Sequence, residues 1–239
     1  MKEIVYVAEL DQDIDDIIAA EYLNKMNVLK CVVLDPIPKT KEGVERRKAL
    51  KDLGIEVRTK MPPVAKYVFV GGALSLISSY IFNHKIEYLI MNGGFVGKNI
   101  VEKPLEKFKN KTECRTFNFN CDINATDKVL KSKNIDNIIL IGKNVCHDRR
   151  NTPMGIWKDE IELFNKYQVN STKLQHDMLA CREGLVHLGI LNEELFVEYK
   201  DVYPYNLGLK GTYTEWGSEL EKNKSQYNKV KAAVKWRWT

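Results

Sequence analysis

Four aspartates, Asp11, Asp13, Asp15 and Asp16, fall within six residues directly after the apolar run Ile4-Val5-Tyr6-Val7-Ala8. Carboxylates packed this closely repel one another, and burying them together without a counter-ion raises their pKa values. A divalent cation resolves the conflict, and clustered carboxylate oxygens suit a hard ion such as Ca²⁺ or Mg²⁺ better than a soft metal. One or two aspartates in a first helical turn serve to cap free N–H groups and complement the helix dipole. Four exceed that need. The cluster points to a metal centre that orients a polar substrate, and by itself names no reaction.

The elements that must position these groups alternate along the chain. Apolar runs predict strands at Ile4–Leu10, Leu29–Leu34, Ile55–Arg58, Lys66–Val70, Ile86–Met91 and Asn137–Ile141. Amphipathic stretches predict helices at Asp15–Met26, Gly43–Leu53, Leu74–Asn83, Asn124–Lys133, Gly155–Tyr167 and Thr172–His187. Leu195–Asp201, Leu207–Trp216 and Lys229–Trp238 read as further strands, antiparallel to their neighbours. The alternation predicts one α/β domain over residues 1–239, an open, mostly parallel, Rossmann-like sheet with helices on both faces. The lysine-rich stretch Phe95–Cys114 is irregular and reads as a mobile loop. Asp11–Asp16, Gly71–Ser75, Gly93-Gly94 and His147-Asp148 all follow strands, and open parallel sheets bind ligands outside the carboxyl ends of their strands.

Bulk properties narrow the function classes. No apolar run approaches the roughly 20 residues needed to span a bilayer, so no membrane partner is expected. Met1-Lys2-Glu3 opens no signal-peptide pattern, and the five scattered cysteines form no Cys-x-x-Cys pair. Both features predict a cytoplasmic protein with reduced thiols. The net charge of +5 is mild and does not demand nucleic acid. The tail Lys229–Trp238 mixes bases and aromatics as nucleic-acid surfaces do, but alternates like a half-exposed strand. Gly71-Gly72 is not followed by Gly-Lys-Ser/Thr and is no P-loop. His147-Asp148-Arg149-Arg150 reads as a surface turn, with pocket lining or phosphate binding as the alternative.

Five segments in order resemble the inosine–uridine nucleoside N-ribohydrolases. Glu9-Leu-Asp11-Gln-Asp13-Ile-Asp15-Asp16 is similar to the family signature Asp-Thr-Asp-Pro-Gly-x-Asp-Asp. Gly72-Ala-Leu-Ser75-Leu resembles its Gly-Pro-Leu-Thr-Asn turn, and Met91-Asn-Gly93-Gly94 its Met-Gly-Gly strand end. The stretch Asn110 to Asp122, with Phe117-Asn118-Phe119 inside it, resembles the family's Asn…Glu-Phe-Asn-Phe…Asp. Gln175-His176-Asp177-Met-Leu-Ala180 resembles its His-Asp-Pro-Leu-Ala.

The resemblance implies hydrolysis of the N-glycosidic bond of a nucleoside, with Ca²⁺ as cofactor and a homodimer or homotetramer as assembly; the departures below extend the expected substrate to a nucleoside 5′-monophosphate. It implies Asp11, Asp16, Asp177 and the Ser75 carbonyl as metal ligands. Asp11 would be the general base, and His176 would act on the leaving base. Asp15, Asn118 and Asp177 would hold the ribose hydroxyls. A metal-dependent riboside-binding protein with little turnover is the alternative.

Two departures bear on specificity. Thr116 stands where the family has a glutamate for the 5′-hydroxyl. With Asn110 retained and Lys109, Lys111 and Arg115 nearby, the 5′ side is expected to accept a phosphate. Asp35 stands near the place of a substrate-positioning asparagine, and Asp13 replaces a glycine of the signature.

Overall fold

Ile4–Ala8 forms β1, and all five of its residues are buried. A strand covered on both faces is the mark of a parallel sheet sandwiched between helices, and the side chains sort accordingly. Ile4, Tyr6 and Ala8 join one apolar cluster, Val5 and Val7 the other. The computed structural model describes residues 2–97, 100–206, 215–216 and 224–238.

The further strands are β2 (Leu29–Leu34), β3 (Val57–Arg58), β4 (Tyr67–Val70), β5 (Ile86–Asn92), β6 (Ile135–Ile141) and β7 (Val197–Val202). They are followed by β8 (Pro204–Asn206), β9 (Glu215–Trp216) and β10 (Val230–Trp236). Eight of them form one sheet in the order β3-β2-β1-β4-β5-β6-β10-β7, while β8 and β9 pair separately. Every pairing in the large sheet is parallel except that of β10 with β7. The expected antiparallel ending is met by β10 with β7 and by the separate β8–β9 pair, while β10 itself runs parallel to β6. Most of the predicted strand Leu207–Trp216 lies outside the described residues.

The helices are α1 (Asp15–Lys25), α2 (Lys41–Asp52), α3 (Ser75–Tyr80), α4 (Phe117–Cys121), α5 (Ile123–Lys131), α6 (Lys143–Cys146), α7 (Ile161–Lys166) and α8 (His176–His187). On one face, Ile17 and Leu23 of α1 pack with Leu179 and Leu185 of α8. On the other, Ile77 of α3 packs with Val129 and Leu130 of α5. Gly54 follows α2 with φ +75°, the left-handed closure that glycine favours.

Three predicted helices are markedly shorter than their periodicity suggests, among them Leu74–Asn83, which reduces to Ser75–Tyr80. The helix expected from Thr172 begins at His176, because Asn170 Oδ1 accepts from the Thr172 N–H and hydroxyl and holds a turn there. The helix expected from Gly155 reduces to a 3₁₀ turn at Lys158–Glu160 followed by α7. Phe95–Cys114 is irregular as expected, yet Phe95, Phe108 and Cys114 bury a small apolar cluster of their own. The basic tail is strand β10, and Lys229 and Lys235 pair with Asp201 and Glu198 of the neighbouring strand. Among the described residues no helix is long and apolar enough to cross a membrane.

Candidate active site

The loop from β1 to α1 is held by its own acids. Glu9 accepts from the Asp11 and Gln12 N–H groups. Asp16 Oδ1 accepts from Tyr6 Oη at 2.9 Å and from the Glu9 N–H at 3.1 Å. Asp13 accepts from Lys173 Nζ at 2.5 Å. These bonds place Asp15 and Asp16 in the first turn of α1, where the helix dipole favours negative charge.

The partner acid comes from the far end of the chain. Helix α8 lies against α1, and Asp177 sits in its first turn. Asn92, the last residue of β5, donates to Asp177 Oδ1 at 2.9 Å. Asp15, Asp16 and Asp177 each present an oxygen within 4.8 Å of the others, and all three are buried. Gly71 at the end of β4 leaves room for them: a Cβ there would lie 2.3 Å from Tyr6 Oη and 2.5 Å from Asp16 Oδ1.

No lysine or arginine among the described residues forms an ion pair with any of the three; the adjacent Lys173 is engaged by Asp13. Their carboxyl pKa values rise as a result. Burial pushes Asp16 and Asp177 well above the usual carboxylate range, and their mutual repulsion with Asp15 adds to it. Burial, then the charge of Asp13, pushes Asp15 up to about 7. Three hard oxygen donors with no cation of their own fit a hard divalent ion.

The acids form one wall of a cavity of about 300 Å³. Its lining comes from the carboxyl ends of β1, β4, β5 and β6, the location expected for an open parallel sheet. Asn118 at the start of α4 donates to the carbonyls of Gly71 and Asn92 at 2.7 and 2.8 Å. It thereby bridges the ends of β4 and β5 at the cavity. His176, next to Asp177 at the start of α8, and His147 also line the cavity, with ring centroids 5.0 Å apart, and His147 meets Phe108 edge-on. Burial, reinforced at His147 by His176 and nearby lysines, lowers His147 to about 3. Burial is also the main cause that lowers His176 to about 4. Both rings are therefore neutral near pH 7. His176 Nε2 is buried and has no hydrogen-bond partner among the described residues.

The structure thus unites Asp15, Asp16, Asn118, Thr116, His176 and Asp177 of the expected site. It does not place Asp11 or Ser75 there. The Asp11 carboxylate accepts from the Lys39 and Thr40 N–H groups at 3.0 Å and from Thr40 Oγ1 at 2.8 Å. Slight burial raises its pKa, but these bonds outweigh it and hold the carboxyl below its usual value. Asp11 is bound into the turn before α2, outside the acidic cluster. Ser75 begins α3; its hydroxyl donates to Asp122 and its carbonyl accepts from Ser79. Asp35 accepts from the Leu76 N–H, so it supports α3 rather than the cavity. Asn110 and Arg115 line a second cleft beside the first.

The expected surface turn divides. Asp148 pairs with Arg150 at 2.7 Å, while His147 faces the cavity. Glu9, Asn92 and Lys143 also line it and were not among the expected residues. The polar Asn92 directly before Gly93-Gly94, at a strand's carboxyl end, was the available signal.

No protein-family model matches the chain. It is 34% identical over 165 residues to an uncharacterized protein of Aquifex aeolicus (strain VF5), a match covering 62% of this chain and 53% of that protein. The chain thus spans about half the length of that relative. Its fold is similar to the crystal structure of the inosine-uridine preferring nucleoside hydrolase from Bacillus anthracis, with a TM-score of 0.59. That superposition covers 99% of this chain and 95% of the other at 14% identity. At that identity the likeness establishes the fold alone, a nucleoside hydrolase-like α/β sheet.

Proposed function

We propose that the protein hydrolyses the N-glycosidic bond of a nucleoside or nucleoside 5′-monophosphate, with Ca²⁺ held by Asp15, Asp16 and Asp177. The buried three-carboxylate cluster carries this reading. Its oxygens are suited to a hard cation and to ribose hydroxyls, and it stands at the carboxyl edge of a nucleoside hydrolase-like sheet, an analogy of fold. A bound divalent ion would offset most of the cluster's negative charge and would supply a water of lowered pKa.

The protein's own groups divide the remaining work. Asp15 and Asp177 accept hydrogen bonds from the ribose hydroxyls, and Asn118 fixes the floor on which the sugar rests. The carboxylates stabilise the positive charge that develops on the sugar ring as the C–N bond breaks. His176, neutral near pH 7, donates a hydrogen bond to the departing base.

The test is incubation with a panel of nucleosides and their 5′-monophosphates, in Ca²⁺ or chelator, with chromatographic separation of free base. Calcium-dependent release that Asp177→Asn abolishes supports the reading. A second reading, a metal-dependent riboside-binding protein with little turnover, is favoured by one observation. Asp11, the expected base, is committed to the Lys39–Thr40 turn. Ca²⁺-dependent riboside binding without base release would establish it.

A further inference from the structure

A second cleft, of about 620 Å³, opens beside the acidic cavity and shares Lys143 and His147 with it. Its other lining includes Lys107, Lys111 and Arg115. None of Lys107, Lys111, Lys143 and Arg115 forms an ion pair with a described residue, whereas Lys109 next to them pairs with Glu106. Glu113 is the acidic side chain in the lining, and it already has a partner.

The cations are held together. Lys107 and Lys111 both lie over the Phe108 ring, at 5.0 and 5.8 Å from its centroid. That ring abuts His147, which in turn meets His176 beside Asp177. Partial burial, then the charges of Lys143 and Lys111, lower the Lys107 pKa. Four cations against the one carboxylate of Glu113 in the lining favour a compact multivalent anion.

We infer that this cleft binds the phosphate of a phosphorylated riboside whose sugar occupies the acidic cavity, a role that rests on the riboside reading of that cavity. One molecule would then span both sites, its diol at the carboxylates and its dianion at Lys107, Lys111, Lys143 and Arg115. The pairing suits opposite ends of a ribose phosphate and suits an uncharged nucleoside less well. Lys109, Lys111 and Arg115 were the expected bases; the structure adds Lys107, and Lys143 lines both cavities.

Calorimetric titration with ribose 5-phosphate, ribose and inorganic phosphate, all in Ca²⁺, tests this without knowledge of the base. Ribose 5-phosphate should bind about tenfold or more tighter than either fragment, the gain expected of one charge-assisted contact. Lys107→Gln with Lys143→Gln should erase that gain; unchanged melting temperatures would show that the variant folds. Asp16→Asn should weaken ribose 5-phosphate and spare inorganic phosphate. Equal binding of ribose and ribose 5-phosphate, or a gain that survives the double substitution, overturns the inference and leaves the riboside reading intact. Inorganic phosphate binding as tightly as ribose 5-phosphate overturns it as well, since the ligand would be a free anion. Failure of the riboside reading has a separate signature: no contribution from ribose and no base release from any riboside, with lysine-dependent phosphate binding retained.

Discussion

Asn92 donates its side-chain N–H to Asp177 at 2.9 Å, tying the end of β5 to the first turn of α8. The bond fixes one carboxylate of the cluster relative to the sheet and lowers the cost of its charge. A residue that orients a ligating carboxylate typically contributes about 10- to 100-fold to metal affinity. Asn92→Ala should therefore weaken Ca²⁺ by about that factor in a calorimetric titration. An unchanged affinity would remove Asn92 from the site's support.

Asp11 and Asp16 should separate cleanly. Asp11→Asn replaces a carboxylate that serves the Lys39–Thr40 turn. It should change Ca²⁺ affinity by less than about threefold, whereas Asp16→Asn removes a buried ligand and should cost about 100-fold or more. Equal losses would show that Asp11 turns inward when the ion binds.

The carboxylates also predict how metal stabilisation depends on pH. Asp15, Asp16 and Asp177 have raised pKa values in the folded protein, Asp15 to about 7. The folded form without metal then holds more protons than the unfolded chain. The stability these groups give is present below the unfolded carboxylate value and lost as pH rises through the folded values. A bound cation reverses that loss. The rise in melting temperature caused by Ca²⁺ should grow steadily from about pH 5 to about pH 8. A rise independent of pH would place the ion elsewhere.

His187 supplies an opposite pH effect far from the site. Its burial lowers its pKa to about 4, its Nε2 has no partner among the described residues, and Tyr199 meets it edge-on. Here the unfolded chain binds the extra proton, so stability is full above the unfolded histidine value and falls as pH drops from about 6.5 toward about 4. His187→Gln should flatten that fall, measured by urea unfolding at several pH values, without changing Ca²⁺ affinity. An unaltered slope would exclude His187 as a contributor.

Much of this architecture is legible in the chain because burial on both faces writes itself as continuous apolar runs. Ile4–Ala8 and Leu29–Leu34 become strands over those residues. The acids of the first signature show that a charged site follows β1, and His176-Asp177 marks its partner. What periodicity could not resolve was direction within the loop. Asp11 and Asp16 have the same chemistry and stand close in sequence. Only the tertiary placement of Thr40 and Tyr6 sends one outward and the other into the core. Glu9 and Lys143 were equally hidden, since a polar residue beside a strand end signals a site only once neighbouring strand ends are known.

The account is tested most directly by a single-turnover experiment with protein in excess over a labelled riboside 5′-phosphate, in Ca²⁺ or chelator, following free base over hours. We predict base release in Ca²⁺ only, lost in Asp16→Asn and in Asp177→Asn. Stoichiometric Ca²⁺-dependent binding with no base released would contradict hydrolysis, and release that persists in chelator would contradict the metal centre at its heart.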